Sequence, residues 1–333
     1  MAKLKDTDYL FLASHVRALE TRMLDRERLE QMLEAHTDQE AMRILAERGY
    51  PETDENVTVD SVNEMLAKAR EETFKEFYLF APDRRLIDVF KIKYDYHNAK
   101  VMLKSEAMGT APERLLVDTG RVPEGEMAEA VRSSDLRSLP AILKKAVEEA
   151  REVLGSSQDP QLADFILDRA YFEDMFQVAN DTGSEFLAGY VRMLIDAANL
   201  KSIVRTMRMG KGTEFLESVL FAGGNIDKSR ILSTLSSGAG LEELYQISDL
   251  KAAAEAGSAA THGGPLTAFE KLCDDAVTAF ISKAKYQAFG EAPMVAYLAA
   301  KESELTAVRI IMTGRLAGIT PDVIRERLRE SYV

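Results

Sequence analysis

A polar pattern recurs about every hundred residues in this sequence, and the recurrence limits the possible folds more than any single motif does. The step is 101 residues from Asn98 to Asn199 and 105 residues from Asn199 to Glu304, which takes the place of the asparagine. A fixed internal period indicates a chain built from related structural units. The pattern consists of Asp95, Asn98 and Lys100 in the first copy, Asp196, Asn199 and Lys201 in the second, and Glu302 and Glu304 in a weaker third copy.

A glycine-bearing loop and a new helix are expected after each copy of the pattern. The glycines are Gly120, Gly224 and Gly318. Each loop also contains an apolar residue with a second apolar residue five positions later. These pairs are Val122 and Met127, Ile226 and Ile231, and Ile319 and Ile324. Three related units of this kind predict a protein with pseudo-threefold character.

The fold class that the sequence predicts is all-α. Residues that favour helices dominate the 333 positions, and no run of β-branched residues alternates with period two. The opening segment has an apolar stripe at helical spacing. The stretch 86–106 is expected to be one long helix that contains the first copy of the pattern. The stripe consists of Tyr9, Leu12, Val16, Leu19 and Met23.

Three similar helical-bundle domains are predicted, with approximate boundaries at 1–130, 131–240 and 241–333. An alternative arrangement packs the N-terminal helices with the C-terminal unit. Small residues in 252–265 favour a loop or frayed helix ends, and this segment is the strongest candidate for a linker.

Composition and charge argue against several classes of function. The formal net charge of −13 argues against nucleic acid as the main partner, because binding phosphates needs a basic face. The only cysteine, Cys273, has no partner for an internal disulfide and is expected to be a packed residue. The first residues lack the apolar core of a signal peptide, and no uncharged run approaches the ~20 apolar residues of a membrane span. We therefore expect a soluble or peripheral protein of the cytoplasm.

No motif in the sequence demands catalysis. The segment Gly210-Lys211-Gly212-Thr213 lacks the spacing of a phosphate-binding loop, and a helix-ending turn is expected there. The four histidines show no zinc-ligand spacing, and His97 is interpreted as a structural or surface residue. We expect no catalytic residue, no metal, no cofactor and no small-molecule ligand.

The Asp and Asn residues of the pattern are interpreted as structural. On a helix the Asp and Asn side chains of each of the first two copies share one face, which is otherwise apolar. They need partners, because an unsatisfied buried amide costs about 1–3 kcal/mol. We expect Asn98 and Asn199 to bind the backbone of the glycine-bearing loop in their own unit, and so to act as latches that fix how each helix bundle closes.

In this order and at this length, the elements resemble the C subunits of the V-type and A-type rotary ATPases, whose eukaryotic relative is called the d subunit. The resemblance covers nearly the full length. The family tends to have a larger aliphatic residue where this chain has Ala99, which affects local packing. The matching elements are Tyr9, 16–20, Leu24, Leu29 and Leu33 near the N-terminus, the helices with Asp95, 98–100, Asp196 and 199–201, and the C-terminal 301–305, 309–311, Gly314 and Gly318.

The resemblance implies a funnel of three similar helical domains about a pseudo-threefold axis. It implies a peripheral protein on the cytoplasmic face of the membrane that performs no chemistry. Its partners are the proteins of the central stalk, whose foot it accepts in a cavity, and the proteolipid rotor ring. It transmits torque between the head that hydrolyses or synthesises ATP and the ring that transports protons or sodium ions. An acidic socket also suits a basic shaft end, with a contact that salt weakens.

Two other classes of protein share this composition. One is an all-α repeat scaffold that binds another cytoplasmic protein and has no affinity for a stalk or rotor ring. The other is a helical enzyme, which would have a concave pocket with converging titratable groups. The residues that contact stalk and ring, the transported ion, the direction of work and the oligomeric state of the isolated chain stay open.

Overall fold

The computed structural model of the chain describes residues 4–52, 56–112 and 115–333. These residues form α-helices and short 3-10 helices and no β-strand, so the predicted all-α class is confirmed. None of the described helices is long and apolar enough to cross a membrane. The 3-10 helices are Asp6–Tyr9, Leu136–Ser138 and Lys283–Tyr286. The α-helices are α1 Leu10–Glu20, α2 Arg26–Glu34, α3 Asp38–Glu47, α4 Val59–Phe80, α5 Arg85–Met108, α6 Glu124–Ser133, α7 Ala141–Ser157, α8 Pro160–Thr182, α9 Glu185–Arg208, α10 Thr213–Val219, α11 Lys228–Ser236, α12 Leu241–Leu244, α13 Lys251–Thr261, α14 Leu266–Ser282, α15 Ala292–Leu316 and α16 Pro321–Arg325.

The three copies of the repeat pattern lie on α5, α9 and α15, which we call the signature helices. They are the longest of the described helices, with 24, 24 and 25 residues. Local sequence sets their ends. The Ser184 hydroxyl accepts a hydrogen bond from the Leu187 N–H and so caps the start of α9. Just before it, Gly183 ends α8 in the left-handed conformation, with φ +73°.

The chain forms two compact units. The first contains residues up to Ile87 together with Tyr245–Val333, and α15 packs there against α1, α2, α3, α4 and α14. Apolar residues between Leu24 and Ala69 share one core with residues between Leu305 and Leu328, so both ends of the chain contribute to it. The second unit contains Asp88–Leu244, and α8 packs there against both α7 and α9. The division at 1–130, 131–240 and 241–333 stays a prediction.

The segment 252–265 is mostly helical, so the prediction of a loop or linker there is wrong. It contains most of α13, which packs against α14. Ala253, Ala254 and Ala260 are buried. Alanine has the highest helix propensity, and its small side chain lets two helices approach closely. The turn is confined to residues 262–265, where Pro265 caps α14.

Two other local predictions are confirmed. Helix α9 ends at Arg208 and is followed by Gly210 with φ +65°, so the Gly-Lys-Gly segment is a helix-ending turn. Cys273 is completely buried on α14, as expected of a packed residue.

Candidate functional site

Asn98 binds the loop that follows α5, and Asn199 of α9 binds the loop that follows the short helix α10, in each case through both ends of the side-chain amide. Asn98 Nδ2 donates to the Val117 carbonyl at 2.8 Å, and Asn98 Oδ1 accepts from the Val117 N–H at 2.9 Å. Asn199 makes the same pair of bonds with Phe221, at 2.9 and 2.8 Å. Neither asparagine is exposed to solvent. These bonds satisfy the buried amides and tie each loop to its signature helix, as the latch hypothesis expects.

The aspartates one turn earlier bind the same loops nearer to the next helix. Asp95 Oδ1 accepts from the Val122 N–H at 3.0 Å, and Asp196 Oδ1 accepts from the Ile226 N–H at 3.2 Å. Asp196 Oδ2 also accepts from the backbone and side chain of Asn225, at 3.0 and 2.8 Å. Burial raises the pKa of both carboxyls, and the donors around them offset part of this rise.

The close approach of these carboxylates explains two of the predicted glycines. A Cβ added to Gly120 would lie 2.2 Å from Asp95 Oδ1, and a Cβ added to Gly224 would lie 2.2 Å from Asp196 Oδ1. A side chain at either position would force the carboxylate away from the loop. Glycine is therefore the residue that lets the loop backbone reach the carboxylate.

Gly318 differs from these two glycines, although all three fit one sequence pattern. It has φ +68°, and no atom lies within 4 Å of the position of a Cβ. It follows the end of α15 and matches Gly109 and Gly210, which follow α5 and α9 with φ of +63° and +65°. Gly318 therefore ends a signature helix in the left-handed conformation rather than meeting a carboxylate.

Arg121 joins the first latch to α8. Its Nε donates to Asp95 Oδ2 at 2.7 Å, and its terminal nitrogens donate to the two oxygens of Asp174 at 3.1 and 2.6 Å. The Tyr96 hydroxyl lies 3.3 Å from Asp174 Oδ2. Both carboxylates are almost fully buried, so the guanidinium compensates two desolvated charges. The sequence pattern did not predict this role of Arg121. The sequence feature that could have indicated it is the difference between the two loops, since Arg121 stands where the second copy has Asn225.

The remaining charged residues of the pattern lie between helices. Lys100 Nζ is 2.6 Å from Asp168 Oδ1 on α8. Glu302 Oε1 accepts from Arg70 Nε on α4 at 2.9 Å, and both side chains are largely buried. Lys201 lies half-buried on α9. The structure therefore uses some of these residues to connect helices of one compact unit.

Glu304 accepts hydrogen bonds from three donors around α15. Its Oε2 accepts from the Leu24 N–H at 2.6 Å, and its Oε1 accepts from the Tyr50 hydroxyl at 2.5 Å and from Lys301 Nζ at 2.6 Å. A carboxylate only accepts, whereas the asparagine amides of the other copies also donate. Accordingly, the three groups around Glu304, an N–H, a hydroxyl and an ammonium group, all donate to it. Lys301 also lies 4.1 Å from the centre of the Tyr50 ring.

The Asp and Asn side chains of the pattern, together with Glu304, bind backbone groups of the protein itself. Within the described ranges, no group of three or more His, Cys, Asp and Glu residues is placed to hold a metal ion. His97 is exposed, and its Nε2 lies 3.0 Å from the Leu115 carbonyl. The hydrogen bonds of the Asp and Asn residues of the pattern fix loops onto helices.

The fold and these contacts define an all-α protein in which buried polar side chains of long helices hold the following loops. The family profile of the ATP synthase (C/AC39) subunit matches residues 12–327, a span that includes all three signature helices. The chain belongs to this family.

Relatives in the family match this chain over most of its length. The C subunit of the V-type sodium ATPase of Enterococcus hirae is 24% identical, and the alignment covers 98% of this chain and 99% of the relative. The C subunit of the A-type ATP synthase of Methanocaldococcus jannaschii is 23% identical, with 96% and 86% covered. The C subunit of the V-type ATP synthase of Deinococcus radiodurans is 25% identical, with 97% and 91% covered.

Proposed function

We propose that this chain is a non-catalytic central-stalk subunit of a V-type or A-type rotary ATPase. It forms a socket that couples the central rotor shaft to the membrane proteolipid ring. Torque passes through it when ATP hydrolysis drives ion transport or when ion flow drives ATP synthesis. The observation that carries the proposal is the family match over residues 12–327, together with relatives whose names place them in such enzymes.

The latches support a mechanical role. A protein that couples a shaft to a ring has to resist twisting, and a twist is absorbed first where loops move relative to helices. Asn98 and Asn199 prevent such movement, because each fixes both backbone groups of one loop residue. Close packing around these bonds gives the interior a low compressibility, so strain is transmitted.

The position of the chain follows from the same proposal. It lies on the cytoplasmic face of the membrane as a peripheral protein and contacts the ring without a span of its own. The net charge of −13 favours a shaft end with basic residues. Attraction between exposed charges decreases with ionic strength, because the Debye length falls from about 10 Å at 0.1 M to about 3 Å at 1 M salt.

Co-purification from membrane extract tests the proposal. The tagged full-length chain is incubated with detergent extract at a series of salt concentrations, and the bound proteins are identified by mass spectrometry. We expect the shaft proteins and the small proteolipid of the ring, with the shaft released first as salt rises. Recovery of unrelated cytoplasmic proteins, with neither shaft nor ring, would instead establish the alternative function of a repeat scaffold. Shaft binding that does not change with salt would contradict the claim that charge attraction holds a basic shaft end to this acidic chain.

A further inference from the structure

The short helices α6 and α11 begin in the same way, α6 as the next helix after α5 and α11 as the second helix after α9. Val122 immediately precedes the residue that caps α6, and its N–H is held by Asp95 of α5. Ile226 immediately precedes the residue that caps α11, and its N–H is held by Asp196 of α9. Both apolar residues are buried. In both copies a carboxylate of the signature helix therefore accepts from the N–H of the residue just before the N-cap of a short helix, α6 or α11.

The segment after the third signature helix lacks this contact. Ile319 is the sequence counterpart of Val122 and Ile226, but it is 41% exposed, whereas they are 5% and 8% exposed. Its N–H donates to the carbonyl of Gly314 within α15. The helix that follows, α16, has five residues. Another segment must therefore supply the loop and short helix of the third repeat.

Leu24, near the N-terminus, is buried and its N–H binds a carboxylate of α15, the two features that Ile319 lacks. Its exposure is 2%, and its N–H donates to Glu304 Oε2 of α15 at 2.6 Å. The next residue, Asp25, caps α2, which has nine residues, as does α11. Five positions after Leu24 lies the buried Leu29, just as Met127 follows Val122. The N–H before the N-cap of α2 thus donates to a carboxylate of α15, as the N–H before the N-cap of α6 donates to a carboxylate of α5.

The chemistry of the third contact explains why a glutamate is used. Lys301 occupies the place of Asp95 and Asp196, three residues before the asparagine position, and an ammonium group cannot accept from an N–H. The carboxylate lies one turn later, at Glu304, and its additional methylene group gives it the reach. Lys301 then donates to Glu304 and compensates its buried charge.

Other contacts hold the same N-terminal segment on the C-terminal helices. Arg315 of α15 donates to the carbonyls of Leu33 and Ala35 at the end of α2, at 2.8 and 2.9 Å, and to Asp38 at 3.0 Å. Its guanidinium thereby satisfies carbonyls that a helix end leaves without partners. At the far end of this segment, the Tyr50 hydroxyl donates a hydrogen bond to Glu304.

We propose that residues 21–50 form a strap that completes the third repeat, with Glu304 as its clasp. The third repeat then combines an N-terminal segment with the C-terminal helix α15, and the two share one core. Glu304 binds the strap, whereas Asp95 and Asp196 bind the residues before α6 and α11, so the loss of Glu304 should loosen the strap locally while α6 and α11 stay closed. This inference is independent of the proposed function.

Hydrogen exchange of the full-length chain, followed by mass spectrometry, tests the strap. In Glu304→Ala, exchange in peptides spanning 21–35 should accelerate about tenfold or more, the effect expected for a lost charge-assisted hydrogen bond. Peptides of α6 and α11 should keep their rates. Glu304→Asp should behave like Glu304→Ala because the shorter carboxylate does not reach Leu24. Glu304→Gln should exchange more slowly than either, because its carbonyl still accepts from the N–H.

Glu302→Gln is the matched control, since Glu302 lies on the same helix and binds Arg70 of α4 instead of the strap. It should leave the 21–35 peptides unchanged. If Glu304→Ala does not fold, the comparison of Glu304→Asp with Glu304→Gln carries the test. The proposal is overturned if the 21–35 peptides keep their rates in Glu304→Asp, or if α6 and α11 open to the same extent as α2.

Discussion

Replacing Asn199 by alanine removes a latch without touching any charged group. The substitution deletes both hydrogen bonds to Phe221 and leaves its N–H and carbonyl without these partners. Each buried unsatisfied group costs about 1–3 kcal/mol. Phe221 is half-buried, so water relieves part of this cost. We therefore expect the free energy of unfolding to fall by about 2–3 kcal/mol. For a compact unit of this size, that corresponds to a melting temperature lower by roughly 4–12 °C.

The assay is thermal and urea unfolding of the full-length chain, followed by circular dichroism. Asn180→Ala is the matched control, because Asn180 is an exposed asparagine on α8 and the change should stay within about 0.5 kcal/mol. The native helix content of both variants should equal that of the parent chain. An Asn199→Ala protein that melts at the same temperature as the parent would refute the latch, since it would mean that the two bonds add no net stability.

Three further predictions concern the neighbouring contacts. Gly224→Ala should destabilise the chain by about 1–3 kcal/mol, because the added Cβ meets Asp196. The control is Gly155→Ala in α7, which should be neutral or stabilising because no atom lies within 4 Å of the added Cβ. Equal melting temperatures of the two variants would contradict this prediction. Arg121→Met should cost about 3–5 kcal/mol in urea unfolding, because it leaves two buried carboxylates uncompensated, and a loss below about 1 kcal/mol would refute the buried ion pair. Burial and the neighbouring glutamate raise the pKa of Tyr50 well above its ordinary value, so the unfolded chain loses this proton first and stability falls as pH rises above about 10. Tyr50→Phe should make that fall less steep by about 1.4 kcal/mol per pH unit in pH-dependent urea unfolding, and an unchanged slope would show that Tyr50 ionises equally in both states.

Much of the repeat architecture could be predicted because it depends on local rules. A polar pair on the apolar face of a helix needs a partner, and the nearest one is the loop that follows in the chain. The bonds of Asn98 and Asn199 to Val117 and Phe221 span only 19 and 22 residues. The period of the pattern likewise identified the signature helices, because apolar spacing and polar positions recur together.

The missed features depend on distant parts of the chain or on backbone conformation. Two of the three partners of Glu304, Leu24 and Tyr50, are 280 and 254 residues away, and no local pattern connects them. Ile319 has the same sequence context as Val122 but is exposed, and the buried residue whose N–H binds a carboxylate of α15 is Leu24. The sequence also cannot distinguish a glycine required by a close contact, such as Gly120, from one required by positive φ, such as Gly318. In 252–265 the alanines, predicted to belong to a loop, form a packed helix.

Coupling of ATP hydrolysis to ion transport tests the central claim most directly. Membrane vesicles with the rotary ATPase are depleted of this protein, reconstituted with the purified chain, and assayed for ATP hydrolysis and for ion uptake in parallel. We predict that depleted vesicles hydrolyse ATP without ion uptake, and that adding the chain restores uptake in proportion to the amount bound. Full ion uptake by vesicles that contain no trace of the chain would contradict a coupling role.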